Sequence, residues 1–296
     1  VHPARAMVRG LRQLSLSHSC QFSSRMEVPL NEVRFRFGEN WLALAYDLDE
    51  RQILEAQESV KALVGRERLD GLSFLDIGSG SGLFSLVARQ LGARVHSFDY
   101  DPQSVQSTAL LRDRYFPADS NWFVEQGSVL DKDYLERLGE FDIVYSWGVL
   151  HHTGAMAEAI RNAGDRVRPG GLFAFALYRK TAMCWAWKIE KRWYAKGSPA
   201  MQQRAMRAYV ALMRTALRVR GRDPDAYIHG YFRLRGMDFY RDVHDWLGGY
   251  PYESIRPRQV ESLLGRNFER VSSDTGSFGL GLFGSGCDEY VYRRRT

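Results

Sequence analysis

The feature that most constrains this fold is a regular alternation of short apolar runs with helical patterns between residues 72 and 178. Five runs have the length and composition of buried strands: LSFLDI, RVHSFD, NWFVEQ, FDIVYS and GLFAFALY. A helical pattern follows each of the first four, and one of these has Pro102 in its first turn while another closes at Gly92. Strands that alternate with helices form βαβ units, so the sequence predicts a parallel sheet with right-handed crossovers.

Different patterns flank this alternating region. Residues 49–65 predict a helix that ends at Gly65, and residues 179–256 are helical, aromatic and basic. A helix over residues 257–267 then precedes FERVSSD and DEYVYRR, two strands close enough to pair antiparallel. We therefore predict four parts: a basic, disordered tail (1–28), N-terminal helices with a cofactor-binding core (29–178), a substrate cap (179–256), and a last helix with two strands that complete the sheet (257–296).

Composition limits the class of protein. The three cysteines, Cys20, Cys184 and Cys287, lie far apart and form no CxxC pair, which favours a reducing compartment and predicts a cytoplasmic protein. No apolar run approaches the roughly 20 residues of a membrane span. The first 26 residues contain four arginines, five serines and no acid, which is typical of a disordered tail, a targeting segment or a wrong translation start. We favour a tail or a wrong start over a targeting segment.

A glycine-rich loop and two acids predict a ligand site. FLDIGSGSG joins the first strand to the first helix of the alternation, and Gly78 and Gly80 form a GxG pair. Position 83 is a leucine, so the GxGxxG dinucleotide fingerprint is incomplete. Asp76 would repel a pyrophosphate at this loop but suits a cationic ligand, and Asp99 ends the next strand, where an acid binds ribose hydroxyls. The pattern predicts a nucleoside cofactor that carries positive charge.

These segments resemble the motifs of class I S-adenosylmethionine-dependent methyltransferases. LDIGSGSG is similar to their first motif, VHSFDYDP to the acidic loop, and EQGSVLD to the segment that holds the adenine. FDIVYSWGVLHHT resembles the fourth strand with its exit, and RVRPGGLFAFALY the turn and fifth strand, as in small-molecule O-methyltransferases with an LHH step. The resemblance implies S-adenosylmethionine as cofactor and an α/β, Rossmann-like seven-stranded sheet in the order 3-2-1-4-5-7-6, with strand 7 antiparallel and a helical insertion after strand 5.

The resemblance also implies roles for individual residues. Asp99 would hold the ribose hydroxyls and Tyr100 would stack on the adenine. Ser128 stands where many relatives have an acid, so a contact with the adenine amino group is left open. The residues expected to surround the cofactor and its methyl group are Asp76, Gly78, Ser79, Gly80, Asp99, Tyr100, Ser128, Val129, Ser146 and Trp147.

Two adjacent histidines, His151 and His152, follow the fourth strand at its carboxyl end, where ligands bind in open α/β sheets. Adjacent side chains point in different directions, so the two form a poor metal pair, and we predict no metal site. Histidine can take the proton of an acceptor hydroxyl near neutral pH. We expect one of them to be the base and favour His151. The interpretation that both are structural stays open, and His244 is a rival base.

The inserted segment carries most of the positive charge. Residues 179–256 contain 16 Lys and Arg against 7 Asp and Glu, whereas the whole chain has a net charge of +6. Basic charge favours an acceptor with phosphate or carboxylate, although a simple solvated basic face would give the same count. Residues 201–219 predict an amphipathic helix with an apolar row that includes Leu212 and Val219. The residues expected to contact the acceptor are Trp41, Tyr240, His244 and Tyr252.

These patterns support three alternative functions, which we rank by how well the sequence agrees with each. The first is methyl transfer from S-adenosylmethionine to a hydroxyl of a small-molecule or glycan-like acceptor, anionic ones included. The second is an RNA methyltransferase that binds nucleic acid through the basic segment. It is disfavoured because the chain has no recognised RNA-binding module and SWGV replaces the Asn/Asp-Pro-Pro-aromatic step of base-amino methylases. The third is a membrane-surface protein with an interfacial Trp/Arg helix. The sequence leaves the oligomeric state open.

Overall fold

The protein folds around one seven-stranded sheet. Its computed structural model describes residues 34–35, 37–38, 41, 45, 48–235, 238–275 and 286–296, with the backbone alone for residues 232–235, so the predicted tail at 1–28 lies outside the described residues. The strand order is β3-β2-β1-β4-β5-β7-β6. The strands are β1 (Ser73–Ile77), β2 (Arg94–Asp99), β3 (Trp122–Gln126), β4 (Phe141–Trp147), β5 (Val167–Tyr178), β6 (Phe268–Asp274) and β7 (Cys287–Arg294).

The pairing directions agree with the sequence. Strands β1 to β5 are mutually parallel where they pair, whereas β7 runs antiparallel to both β5 and β6. The predicted order 3-2-1-4-5-7-6 with strand 7 antiparallel is therefore confirmed. The described α-helices are α1 (Glu50–Val64), α2 (Leu83–Gln90), α3 (Pro102–Tyr115), α4 (Lys132–Leu138), α5 (Met156–Gly164), α6 (Cys184–Ala195), α7 (Pro199–Val219), α8 (Pro224–Arg235), α9 (Phe239–Gly248) and α10 (Pro257–Leu264).

Local capping chemistry sets several helix ends. Asp49 caps α1 by accepting the backbone N–H of Gln52, and Gly65 ends this helix with a φ of 68°. Asp101 caps α3 by accepting the N–H of Gln103, and the first residue of that helix is proline. The cap at Asp101 fixes where the chain leaves β2 and enters α3, at the carboxyl edge of the sheet.

Helices cover both faces of the sheet because successive strand residues point to opposite sides. One face buries Leu75, Val144 and Phe173 with side chains of α4, α5 and α10. The other face buries Phe74 and Ile143 with side chains of α1, α2 and α3. A sheet covered on both faces leaves its strand ends as the open edge for a ligand.

Helices α6 to α9 form the insertion between β5 and α10, which we call the cap. They share a hydrophobic cluster that includes Tyr194, Val210 and Phe239. The apolar row noted in α7 lies outward: Leu212 is 70% and Val219 84% exposed. The helix turns its larger side chains inward instead, since Met206, Tyr209, Val210, Met213 and Leu217 pack in the cap or are buried.

Both ends of the cap are joined to the end of β5. Arg179 and Ile255 form a parallel bridge, and the backbone N–H of Lys180 donates to the Ile255 carbonyl at 2.9 Å. Arg179 also pairs with Asp288 of β7, which is fully buried, through an Nε to Oδ1 distance of 2.6 Å. None of the helices within the described ranges is long and apolar enough to cross a membrane.

Candidate active site

The glycine loop runs from the end of β1 into α2. Gly78 and Gly80 have φ values of 76° and 54°, a region that favours glycine. A Cβ on Gly78 would lie 2.4 Å from Cγ1 of Val149, whereas a Cβ on Gly80 would meet the indole of Trp41 at 3.4 Å. The loop is therefore held between the exit of β4 and Trp41, and Ser79 within it bonds through its hydroxyl to Thr108 at 2.8 Å.

Asp76 is buried at the end of β1. It is 3% exposed, and its Oδ2 accepts the hydroxyl of Ser85 at 2.5 Å. Ser85 bonds in turn to Ser97 at 2.7 Å. Burial raises the pKa of Asp76 to about 7. Among the described residues no Lys, Arg or His forms an ion pair with this carboxyl group, so a cationic ligand would supply the charge partner it lacks.

Asp99 lies beside the same loop at the end of β2. Its carboxylate accepts the backbone N–H of Gly80 at 3.0 Å and that of Asp101 at 2.9 Å. Burial raises the pKa of Asp99 to about 6. The next residue, Tyr100, faces the guanidinium of Arg34, with 4.6 Å between the guanidinium carbon and the ring centre. A buried and a half-buried carboxyl group beside a glycine loop fit S-adenosylmethionine, which brings positive charge and ribose hydroxyls.

The expected adenine contacts lie in the loop after β3. The backbone N–H of Gly127 donates to the Asp99 carbonyl at 3.0 Å, which places this loop next to the acid. The Ser128 hydroxyl accepts the N–H of Leu130 at 3.2 Å. Val129 is 5% exposed, and its carbonyl accepts the side-chain amide of Asn162 at 2.9 Å. Both residues are thus held by the protein's own hydrogen bonds beside Asp99.

At the end of β4, Ser146 and Trp147 are held by contacts with neighbouring residues of the sheet. Ser146 is fully buried and its hydroxyl donates to the Ile77 carbonyl at 3.0 Å, so this group ties β4 to β1. Trp147 stacks on Tyr145 with ring centres 5.5 Å apart and an angle of 5° between the planes. Ser146 therefore adjoins the glycine loop through Ile77, although its hydroxyl is already used in this bond.

The two histidines form a 3-10 turn, Leu150–His152, after β4. His151 is 1% exposed, and its Nδ1 accepts the backbone N–H of Tyr178 at 3.3 Å. Its Nε2 is buried and has no hydrogen-bond partner among the described residues. His152 instead places Nδ1 2.7 Å from the carbonyl oxygen of Pro251. The two rings lie 4.4 Å apart, so both border the same small region.

These contacts assign opposite tautomers to the neighbours. A carbonyl oxygen can only accept, so Nδ1 of neutral His152 carries the hydrogen and Nε2 keeps its lone pair. A backbone N–H can only donate, so Nδ1 of neutral His151 is the acceptor and Nε2 carries the hydrogen. Burial lowers the pKa of His151 well below its usual value, and burial lowers that of His152 to about 4. Both rings are therefore neutral near pH 7.

The residues expected to contact the acceptor are not all brought together. Trp41 lies over Gly80, as described above, and Tyr252 is 1% exposed, with its ring 5.2 Å from that of Tyr178. His244 lies in the cap, where its Nδ1 is 2.7 Å from the Tyr194 hydroxyl. Tyr240 is 46% exposed at the start of α9. The structure thus places Tyr252 beside the histidine turn, through Tyr178, and Tyr240 on the surface.

Sequence reasoning missed a buried lysine. Lys191 is fully buried, and its ammonium lies 3.7 Å from the centre of the Trp246 ring and donates to the Trp246 carbonyl. Burial lowers its pKa, and its charge contributes to the lowered pKa values of both His151 and His152. The available signal was helical spacing, since the buried positions 184, 191 and 194 share the inner face of α6.

The sheet order, the glycine loop and the two acids define a class I S-adenosylmethionine-dependent methyltransferase. The chain belongs to the methyltransferase domain family, whose model matches residues 48–224, more than half of the chain. The predicted cofactor, S-adenosylmethionine, is thereby confirmed as that of the class. Among the described residues, no group of three or more His, Cys, Asp or Glu side chains is placed to hold a metal ion.

Curated relatives align with less than half of the chain. A ubiquinone biosynthesis O-methyltransferase of Methylobacterium sp. (strain 4-46) is 33% identical over 135 residues, which is 45% of this chain and 52% of that protein. A protein of the same name from Paramagnetospirillum magneticum is 30% identical over 129 residues, 43% of this chain and 49% of that protein. The chain therefore spans about half the length of the curated relatives it matches.

One solved structure shows the same fold at low identity. Magnesium protoporphyrin IX methyltransferase from Synechocystis PCC 6803 with bound SAH superposes with a TM-score of 0.50 and 15% identity. The match covers 87% of this chain and 94% of that chain. At this identity the likeness supports the fold alone.

Proposed function

We propose that this protein transfers a methyl group from S-adenosylmethionine to a hydroxyl of a small-molecule acceptor, with glycan-like and anionic molecules as the preferred classes. The observation that carries the proposal is the histidine pair: two neutral imidazoles of opposite tautomer, His151 buried and His152 half-buried, follow β4 at the edge that bears the glycine loop. The names of the curated relatives, O-methyltransferases of ubiquinone biosynthesis, support oxygen as the methylated atom.

The protein's part in the reaction is to hold the donor, orient the acceptor and remove one proton. When bound, S-adenosylmethionine supplies a methyl group that is already activated on a sulfonium. Asp76 offers its carboxylate to the charged methionine end, and Asp99 accepts ribose hydroxyls. His152 accepts the proton of the acceptor hydroxyl at Nε2, whereas Nε2–H of His151 donates to the same oxygen and orients it. This division replaces the initial preference for His151 as the base.

The buried lysine supports an anionic acceptor. Lys191 has no carboxylate within ion-pair distance among the described residues, and the neighbouring Glu190 keeps a buried Oε2 without a hydrogen-bond partner. Burial lowers the pKa of Lys191, and Glu190 favours its charge without forming an ion pair with it, so the buried ammonium remains costly. A phosphate or carboxylate of the acceptor would offset that cost. We expect Lys191→Met to raise KM for an anionic acceptor and to leave the affinity for the cofactor unchanged.

The test pairs two histidine variants. Methyl-labelled S-adenosylmethionine is first incubated with a native metabolite extract to identify an acceptor. His152→Gln removes the proton-accepting atom, so kcat is expected to fall by about 10²- to 10⁴-fold. His151→Gln keeps an N–H donor and is expected to change kcat far less. Calorimetry with the cofactor serves as the control, because both variants should retain wild-type affinity.

Two outcomes would overturn parts of the proposal. Full turnover by His152→Gln would place the base elsewhere, with His244→Gln as the next variant to measure. Failure of the labelled screen in every extract, with intact cofactor binding, would remove the small-molecule acceptor and leave the cofactor site standing. The boundaries of the cap at 179–256 and the cytoplasmic location stay predictions.

A further inference from the structure

The outer face of α6 exposes three large apolar side chains in one row. Trp185, Ile189 and Trp193 are 67%, 62% and 53% exposed. Residues four apart lie above one another on a helix, so the three form a continuous stripe. Tryptophan gains much free energy when its large ring is buried. Two exposed indoles and an isoleucine in a single row therefore mark a surface that binds something.

A second row on the same face is cationic. Lys188, Arg192 and Lys196 are exposed, and each follows one residue of the apolar stripe by three positions. Residues three apart on a helix are neighbours, so the two rows lie side by side. The single acid of α6, Glu190, is not among its exposed residues. The next helix, α7, contains no acidic residue.

The opposite face of α6 anchors the helix to the protein. Cys184, Lys191 and Tyr194 are its buried residues, and Tyr194 belongs to the hydrophobic cluster of the cap. The exposed rows therefore contribute little to folding. Substitutions on them can test binding without disturbing the cap.

We propose that this face, made of Trp185, Lys188, Ile189, Arg192 and Trp193 with Lys196 at its end, docks on an anionic lipid membrane. Indole rings settle at the boundary between headgroups and acyl chains, and Lys and Arg are attracted to an anionic leaflet. A helix with one apolar row beside one cationic row lies in the plane of that interface. A second copy of the chain is a poorer occupant, because a two-fold contact would set the same positive residues against each other.

The experiment measures binding of the full chain to vesicles by co-sedimentation. Vesicles of phosphatidylcholine alone are compared with vesicles that also contain phosphatidylglycerol. We expect the protein to bind the anionic vesicles and to be released by salt, since the Debye length falls from about 10 Å at 0.1 M to about 3 Å at 1 M. Lys188→Ser with Arg192→Ser should weaken binding roughly 25-fold, at roughly fivefold per charge. Trp185→Ser with Trp193→Ser should weaken it by about tenfold or more.

A matched control and four adverse results make the test decisive. Leu54 of α1 is 59% exposed and belongs to neither row, so Leu54→Ser should leave vesicle binding unchanged. The proposal fails if anionic vesicles bind no better than neutral ones, or if the double tryptophan variant binds as well as the wild type. It also fails if the face binds single-stranded RNA while ignoring vesicles, or if light scattering shows a dimer that the tryptophan substitutions dissociate. None of these results depends on the methyl acceptor.

Discussion

Replacement of Asp76 by asparagine is expected to stabilise the cofactor-free protein and to remove its affinity for the cofactor. Burial raises the pKa of this carboxyl from 3.8 to about 7. At pH 8 the carboxyl is therefore charged, and its buried charge destabilises the folded protein. A difference of about 3 pKa units corresponds to about 4 kcal/mol. The amide carries no charge and keeps an oxygen for the Ser85 hydroxyl. We therefore expect a gain of up to about 4 kcal/mol, or about 7 °C in melting midpoint.

The pH dependence of the stability difference between variant and wild type shows whether the buried charge of Asp76 is its cause. Because the folded-state pKa is the higher one, Asp76 is protonated in both states below about pH 4, and the variant has no advantage there. The advantage grows as the pH rises through the interval between 3.8 and about 7, and amounts to about 2 kcal/mol at pH 5. Urea denaturation of both proteins at pH 5 and pH 8, with calorimetry of S-adenosylmethionine binding, measures both effects.

A second buried aspartate of the sheet provides the control. Asp142 is 7% exposed, accepts the backbone N–H of Ser73 at 2.9 Å and pairs with Arg168 at 2.6 Å. Its charge is used within the protein, so Asp142→Asn should lose about 1–3 kcal/mol of stability. The reasoning is refuted if Asp76→Asn is less stable than the wild type at pH 8, if its effect is the same at pH 5, or if it binds the cofactor normally.

Three further outcomes are expected. Cofactor affinity should fall by up to about tenfold per unit as the pH drops below about 7, where Asp76 becomes protonated, and more steeply below about 6, where Asp99 follows; calorimetry across pH measures this. Gly78→Ala should abolish cofactor binding and lower the melting midpoint, since its Cβ would lie 2.4 Å from Val149 at a φ of 76°; a variant with normal affinity would show that the loop adapts. Asp288→Ala should cost about 2–4 kcal/mol in denaturation because it strands the charge of Arg179, and adding Arg179→Met should restore part of the loss.

Much of the fold was predictable because its signals are local. Strands β1 to β5 are short apolar runs bounded by helical patterns, and the caps at Asp49 and Asp101 lie next to the helices they begin. The orientation of α7 was harder to predict. The sequence shows an apolar row of alanines with Leu212 on one face of α7. The cap instead buries the face that carries Tyr209 and Met213, because these larger side chains fill more space.

The features of the candidate site also divide into those that the sequence predicts and those that it does not. Asp76 and Asp99 end predicted strands, so the sheet itself brings them to one edge. The histidine tautomers depend on backbone groups far away in the chain, at Tyr178 and Pro251, and no local pattern encodes them. Lys191 was missed for a related reason: its burial depends on Trp246, which belongs to a different helix of the cap.

The meeting of the two cap ends has a consequence for how such a protein can change over evolution. Arg179 and Ile255 are bridge partners, so the 75 intervening residues leave and re-enter the sheet at one point. An insertion whose ends touch can be lengthened, shortened or exchanged without altering the spacing of β5 and β7 or the positions of Asp76 and Asp99. On the proposal that the cap contacts the acceptor, donor binding and acceptor choice can then be inherited separately. A single methyl-transfer core could acquire new acceptors by replacement of this one segment.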